Sequence, residues 1–292
     1  MQGIGSSCSS VACLGMLASR FKEDKERNSA IGIAFSGLAL GAIIGPTFGG
    51  FMYEFVGRSS TFLILSAAIL SVAVLQIIVM SPEIDPKKLG TKNSFIALII
   101  DPYILVATGA LIIPGSGIAL LQSTLPIWMM DTMRATTWQL GAIFLPISIL
   151  YFIFSNLYGV LGRYFPKWLL TLVGLIIIGV SILCIPFCNN IYYMLPPLGG
   201  FGLSLAVIDC AMMSELAHLV DIRFSSEYGS VFAIGDIAFC LAYGVGQLIG
   251  GVLLNVIGFQ WMICSSAILS ILYAPLMVML RNPPTKENKQ VY

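Results

Sequence analysis

The sequence predicts an all-α, polytopic membrane protein. Apolar residues make up 58% of the 292-residue chain and charged residues 10%, whereas a soluble domain carries about 25% charged residues. The apolar residues form long runs, each long enough to cross a hydrocarbon core that needs roughly 20 helical residues. A membrane β-barrel would instead alternate apolar and polar residues along each strand.

The apolar runs between polar breaks predict about nine membrane spans. They lie near residues 3–19, 29–53, 60–80, 103–130, 138–162, 167–187, 192–218, 227–255 and 259–280. The first span is expected to be incomplete, because the N-terminus has no basic segment or cleavage signal and resembles the middle of a helix.

Basic residues divide unevenly between the two ends of these spans. One side would carry Arg20, Lys22, Lys25, Arg27, Lys87, Lys88, Lys92, Arg163, Lys167, Arg223, Arg281, Lys286 and Lys289, and the other Arg58 and Arg134. Cytoplasmic loops of membrane proteins carry the excess of Lys and Arg. The 81–100 linker and the 281–292 tail are therefore predicted to be cytoplasmic. The net charge of +1 points to no nucleic-acid partner.

A glycine pattern recurs at a constant offset of 201 residues. The matching sets are Gly45, Gly49, Gly50 and Gly57, and Gly246, Gly250, Gly251 and Gly258. The second and eighth spans therefore look like copies of one helix in the same orientation. A parallel repeat of a six-helix unit is the arrangement of the two halves of major facilitator transporters.

The repeat predicts a twelve-helix major facilitator fold. This chain would lack helices one to three and part of helix four. Residues 1–80 would be the remnant of the N-terminal half, with helices four to six, and residues 81–100 the cytoplasmic linker. Residues 101–280 would be the C-terminal half, and residues 281–292 the tail.

The second predicted span, helix five of twelve, carries a glycine–proline motif at Gly41, Gly45, Pro46, Gly49 and Gly50. Small residues four apart permit close helix contact, and an interior proline leaves a carbonyl unpaired and bends the helix. The motif resembles the signature of major facilitator antiporters. Helix packing alone would also explain these glycines.

Beyond this motif the chain resembles the vesicular amine transporters, nearest to the monoamine branch. Resembling segments cover residues 2–10, 53–57, 101–105, 125–130, 138–141, 179–187, 219–221, 228–231 and 238–240. The resemblance implies exchange of lumenal protons for cytosolic amines. It also implies residence in a secretory or synaptic vesicle membrane.

Two carboxylates interrupt the apolar spans. Asp209 lies in the middle of span 192–218, where a carboxylate costs about 2.5 to 3.5 kcal/mol on insertion scales, so it should face a cavity or an interior donor. Asp236 starts a stripe with Phe239, Cys240 and Tyr243 on one helix face. A carboxylate beside aromatic rings can bind an organic cation. Alternatively, Phe239 and Tyr243 are ordinary helix contacts.

The resemblance implies roles for some of these residues. Asp209 and Asp236 match the proton-coupling aspartates of the family. Tyr151 matches a family tyrosine, although a tyrosine among apolar neighbours can also be a simple packing residue. Gln122 stands where the family has a cavity glutamate that contacts the substrate ammonium group.

The end of span 192–218 departs from the family pattern. Phe224 replaces a loop histidine that is implicated in proton coupling. Glu215 and His218, followed by Asp221, stand where the family has apolar or aromatic residues at the first two positions, so no role carries over. Their spacing permits a proton-responsive gate. A solvated helix end is the alternative.

The sequence offers no residues for enzymatic chemistry. It contains no Gly-rich phosphate loop, no nucleophile motif and no paired metal ligands, so neither an enzyme nor a cofactor is predicted. The seven cysteines are Cys8, Cys13, Cys184, Cys188, Cys210, Cys240 and Cys264. They lack metal-ligand spacing and are expected to be buried free thiols.

Three functional hypotheses follow. The first is a proton-coupled antiporter that loads monoamine-like amines into vesicles, present here as a truncated chain, with the lipid bilayer, the amine and protons as partners. The second is a non-transporting truncated or degenerate paralogue. The third is an antiporter of a different organic solute, which Gln122 favours. The sequence leaves the oligomeric state unknown.

Overall fold

A computed structural model of the chain describes residues 2–21, 23–55, 57–79, 92–188, 190–223 and 228–283. These residues form α-helices and short 3₁₀ segments, and the described part of the chain has no β-strand. The expectation of an all-α protein is confirmed.

Ten α-helices follow one another along the described residues. They are α1 Gln2–Arg20, α2 Asp24–Phe55, α3 Arg58–Val79, α4 Lys92–Ile100, α5 Pro102–Met133, α6 Thr137–Ala142, α7 Leu145–Tyr164, α8 Lys167–Cys184, α9 Ile191–Arg223 and α10 Tyr228–Tyr273. The 3₁₀ segments Ile185–Phe187 and Ala274–Arg281 follow α8 and α10.

Seven helical segments of the described chain have the length and hydropathy to cross a membrane. The last of them, Tyr228–Arg281, has 54 residues and is long enough for two spans. Each predicted span except the first, which coincides with α1, overlaps one of these segments, although the segment at the predicted span 29–53 ends at Gly45. Helix α1 is rich in serine and glycine, so it is less hydrophobic than the others.

The chain divides into two compact units. The first contains residues 1–39 and 90–292, and the second contains residues 40–89. Within the second unit, the end of α2 is followed by α3, whose residues 62–78 are exposed throughout. The first unit holds the other helices and all the clusters described below.

Two glycines of the predicted repeat have the same unusual backbone conformation. Gly57 has a φ of 91° and ends the break between α2 and α3, and Gly258 has a φ of 78° and interrupts α10. Glycine adopts positive φ without the steric cost that a side chain brings. The two predicted spans 227–255 and 259–280 are therefore separated by a backbone break at Gly258.

Helix α9 lies at the centre of the first unit, and most of its residues from Met194 to Val220 are buried. It packs against α7 and α8, while α5 packs along α10. The N-terminal part of α2 crosses α7 closely, because a Cβ on Gly32 would collide with the carbonyl oxygen of Ser155. These contacts bring α2, α7, α9 and α10 together around the candidate site.

Two sequence expectations need correction or refinement. The thiols are free, but only Cys210 is buried among the seven; Cys8, Cys13, Cys184 and Cys240 are exposed. In a membrane bundle an apolar side chain does not need protein around it, because the outer faces of the helices can contact lipid.

Within the predicted linker, residues 92–100 form helix α4, whereas residues 81–91 and the tail residues 284–292 lie outside the described chain.

Candidate functional site

Asp209 is enclosed in the middle of α9, with only 5% of its surface exposed. Its Oδ2 atom accepts a hydrogen bond from the Tyr151 hydroxyl of α7 at 2.9 Å, and its Oδ1 atom has no partner among the described residues. The close crossing of α7 and α9 explains this pairing. A Cβ on Gly202 would collide with the backbone of Ile147, one helical turn before Tyr151.

Tyr243 of α10 belongs to the same surroundings. It lies within electrostatic range of both Asp209 and Tyr151. Its side chain is 36% exposed, whereas Tyr151 is buried. Asp209, Tyr151 and Tyr243 are here called the Asp209 cluster, which contains one buried carboxyl group, one buried phenol and one partly exposed phenol.

Asp236 has a different environment, at the contact between α10 and α1. Its Oδ1 atom accepts a hydrogen bond from Ser10 Oγ at 2.9 Å, and its Oδ2 atom accepts one from Ser7 Oγ. Ser7 and Ser10 lie three residues apart, so they share one face of α1. Both carboxylate oxygens therefore have a hydroxyl donor on α1.

A cavity of about 210 Å³ adjoins Asp236. Its wall comes from α1, α2, α9 and α10 and includes Ser10, Cys13, Phe35, Met213, Asp236 and Phe239. The rings of Phe35 and Phe239 are 6.4 Å apart between centroids and tilted by 49°. This cavity, here called the Asp236 cavity, is mostly apolar and holds one carboxylate.

The structure places some of the predicted site residues at these two places and others elsewhere. Phe239 lies in the wall of the Asp236 cavity, whereas Tyr243 of the same stripe is not part of that wall and lies within electrostatic range of Asp209. Gln122 is exposed on α5 and is not in the wall of the Asp236 cavity.

The predicted glycine–proline motif lies on α2, in the second unit. Within that unit, no described atom lies within 4 Å of a Cβ built on Gly41 or Gly45. The surroundings of Pro46, Gly49 and Gly50 lie outside what the structure describes, and so does Phe224. The antiporter role of the motif stays a prediction.

Sequence reasoning did not place a group of charged residues where α2 begins and α9 ends. Arg27 is fully buried and donates to Asp221 Oδ2 at 2.7 Å and to Asp24. The N-terminal end of α8 adds Lys167, whose Nζ atom is 3.8 Å from Asp24 Oδ1 and 3.7 Å from Glu215 Oε2. A single sequence cannot reveal this pairing, since 194 residues separate Arg27 from Asp221.

Comparison with known proteins identifies relatives at two levels. The family model described as the Major Facilitator Superfamily matches residues 1–223. The chain is 47% identical over 289 residues to the human synaptic vesicular amine transporter, covering 99% of this chain and 56% of that protein. It is 48% identical over 290 residues to the chromaffin granule amine transporter of Rattus norvegicus, with the same coverage.

More distant matches agree with this. The vesicular acetylcholine transporter of Torpedo marmorata is 36% identical over 291 residues, and the match covers 97% of this chain and 56% of that protein. The chain thus spans about half the length of the curated relatives it matches. The crystal structure of the E. coli fucose:proton symporter superposes with a TM-score of 0.73 at 14% identity, over 95% of this chain and 74% of that chain. That likeness concerns the fold.

Proposed function

The chain belongs to the major facilitator superfamily, and from that membership we propose that it serves proton-coupled antiport of amines into secretory or synaptic vesicles. The names of its amine-transporting relatives support the substrate class. The lipid bilayer, an organic amine and protons are its proposed partners, and its C-terminal tail is proposed to be cytoplasmic.

The observation that carries this proposal is the pair of carboxyl groups inside membrane helices, in contrasting surroundings. Ionisable groups at such positions are expensive and mark ion or substrate pathways. Asp209 is enclosed with one unpaired oxygen, whereas Asp236 is half-buried and has two hydroxyl donors. Burying a charge costs more than burying a neutral acid, so Asp209 suits a group that binds a proton when enclosed and releases it when exposed.

The Asp236 cavity suits the amine. A cationic amine can place its ammonium group at the Asp236 carboxylate and its apolar part against the Phe35 and Phe239 rings in the cavity wall. The Asp236 carboxylate can be neutralised by an ammonium group or by a proton. Because the two neutralise one charge, binding of either weakens binding of the other, which is the requirement for exchange.

The native thiol Cys13 in the wall of this cavity provides a direct binding test. The chain is purified in detergent and alkylated with and without an aromatic monoamine, and the modified cysteines are identified by mass spectrometry. The amine should slow the alkylation of Cys13 and leave Cys184, which is exposed at the end of α8, unaffected. Asp236→Asn should abolish the protection, and Asp131→Asn at the exposed end of α5 should retain it.

The same variants test coupling. In proteoliposomes with an acidic interior, a longer form of the protein that also carries the first helices of the major facilitator fold should accumulate the monoamine, and the same form with Asp236→Asn should not. No protection of Cys13 at millimolar amine would reject the amine site. Protection without accumulation would favour a binding protein that does not transport.

A second candidate is an antiporter of a different organic solute. The specific observation in its favour is the neutral, exposed Gln122 on α5. This reading predicts protection of Cys13 by uncharged solutes in preference to amines.

A further inference from the structure

We propose that His218 and Asp24 form a proton-operated latch that holds the start of α2 against the end of α9. The proposal deepens the proposed function, because an antiporter must open and close each side of its cavity. The His218 Nδ1 atom lies 3.3 Å from Asp24 Oδ2 and joins two helices that are far apart in the chain.

The two helices meet closely around this pair. The hydroxyl of Ser214 donates to the amide oxygen of Asn28, and both side chains are buried. The buried Arg27 reaches Asp221 across the same contact. Separation of α2 from α9 would have to break these interactions, so a group that strengthens or weakens the contact controls access at this end.

His218 is the group at this contact whose charge ordinarily changes near neutral pH. It is the one histidine of the chain, and histidine is the side-chain type that serves as a switch near physiological pH. The other charged groups around it are Asp24, Lys25 and Arg27 of α2, Arg163 of α7, Lys167 of α8, Glu215 and Asp221 of α9, and Arg281 of the last 3₁₀ segment.

Protons can reach His218 from outside the helix bundle. Its side chain is 35% exposed and Asp24 is 45% exposed. Both line a cavity of about 360 Å³ together with Lys25, Arg163 and Arg281. The latch therefore responds to the pH at the end of the bundle where α2 begins, without passage of protons through the Asp209 cluster.

Protonation adds a positive charge that faces Asp24 directly. Asp24 already has Arg27 and Lys167 within 4.0 Å, so His218 acts as the adjustable member of a set of fixed charges. The protonated form holds α2 to α9, and the neutral form loosens this contact. For an ion pair of this exposure the effect on opening should be about threefold.

A cysteine at Ser214 measures the opening directly, because Ser214 is fully buried behind the pair. The 292-residue chain with Ser214→Cys is reconstituted in nanodiscs and alkylated with a charged maleimide, and modification of that residue is followed by mass spectrometry. At each pH the rate is compared with the rate after the additional change His218→Gln. Because the two proteins are compared at the same pH, the pH dependence of maleimide chemistry cancels.

We expect His218→Gln to raise the rate about threefold at pH 6 and to leave it within experimental error at pH 8. In an Asp24→Asn background, His218→Gln should have no effect at either pH. Lys25→Gln is the matched control, since Lys25 lines the same cavity without lying within 4.0 Å of Asp24. It should preserve the pH-dependent difference.

Equal labelling rates with and without His218→Gln at pH 6 would overturn the proposal, as would an effect of the same size at both pH values. His218→Asn replaces His218→Gln if the latter elutes as aggregate in size-exclusion chromatography. The labelling needs neither an amine nor a proton gradient. The labelling experiment therefore tests the latch, the Cys13 protection experiment tests the amine site, and either can fail without the other.

Discussion

The Tyr151 hydroxyl donates a 2.9 Å hydrogen bond to Asp209 Oδ2, and this buried bond joins α7 to α9. It is the described interaction that fixes the orientation of the Asp209 carboxyl group, since Oδ1 has no described partner. Tyr151 is therefore a positioning residue for Asp209 in the proposed coupling mechanism.

Tyr151→Phe should lower the free energy of unfolding by about 1 to 3 kcal/mol, because it leaves a buried carboxyl oxygen without its donor. Thermal unfolding in detergent measures this. Tyr164→Phe at the end of the same helix is the control, since Tyr164 is 79% exposed. An equal loss in both variants would mean that the bond to Asp209 contributes nothing specific.

Asp101 and Arg223 form a second buried link, between the start of α5 and the end of α9. The Arg223 Nη2 atom lies 2.6 Å from Asp101 Oδ2, and the side chains are 6% and 4% exposed. Asp101 also caps α5 by accepting a hydrogen bond from the Tyr103 backbone NH at 3.0 Å. The Arg223 guanidinium lies 4.8 Å from the centre of the Tyr103 ring.

Asp101→Asn should destabilise the protein by about 3 to 5 kcal/mol, because it leaves a buried guanidinium without its counter-charge. Asparagine caps helices as well as aspartate does, so the substitution isolates the ion pair. The double variant Asp101→Asn, Arg223→Met should recover part of the loss in thermal unfolding. A double variant less stable than Asp101→Asn alone would show that Arg223 stabilises the fold through Tyr103 instead.

Gly246 lies where α10 packs closely against α5. A Cβ at this position would lie 2.8 Å from the Cβ of Ala119 and 3.2 Å from the carbonyl oxygen of Ser116. Gly244 is on the same helix, but a Cβ there meets no described atom within 4 Å. The two glycines therefore form a matched pair.

Gly246→Ala should destabilise the protein by about 1 to 3 kcal/mol, since overpacking forces the two helices apart. Gly244→Ala should be neutral or slightly stabilising, because alanine has the higher helix propensity. Thermal unfolding of the two variants side by side distinguishes them. Equal stability would mean that α5 can shift without cost.

Much of the fold was predictable from the sequence because apolar run length has a physical minimum in a membrane. The predicted repeat is also visible in the backbone conformation. Gly57 and Gly258 both have positive φ, a conformation in which other residues are strained. The length of the apolar runs did not predict that α1 has low hydropathy. It also did not predict the helix within residues 92–100.

The candidate site was predictable in its residue types but not in its partners. A carboxylate inside a membrane helix is visible in any sequence, which is why Asp209 and Asp236 were found. Their partners Tyr151 and Ser10 come from other helices, and the distance along the chain carries no signal for such contacts. The serine pair of α1 has helical spacing, but serine is common in membrane helices as a packing residue.

Gln122 presents a choice between a weakened amine site and a site for another solute. A charge pair 4 Å apart contributes about 4 kcal/mol at an effective dielectric constant of 20, before the dehydration of both ions is subtracted. An ammonium group bonded to a neutral amide oxygen gains less, about 1.5 to 3 kcal/mol. A glutamate at this position should therefore bind an amine more tightly than Gln122 does.

Gln122→Glu should lower the monoamine concentration that half-protects Cys13 by about tenfold, which corresponds to about 1.4 kcal/mol. Gln76→Glu, at an exposed position of α3, introduces the same charge elsewhere and should leave that concentration unchanged. The structure makes this a demanding test, because Gln122 is exposed on α5 and outside the wall of the Asp236 cavity. If the amine binds more tightly to Gln122→Glu but not to Gln76→Glu, the bound amine extends from Asp236 to α5. Unchanged or weaker binding would mean that the amine does not sit beside Gln122, and the antiport of a different solute would become the better hypothesis.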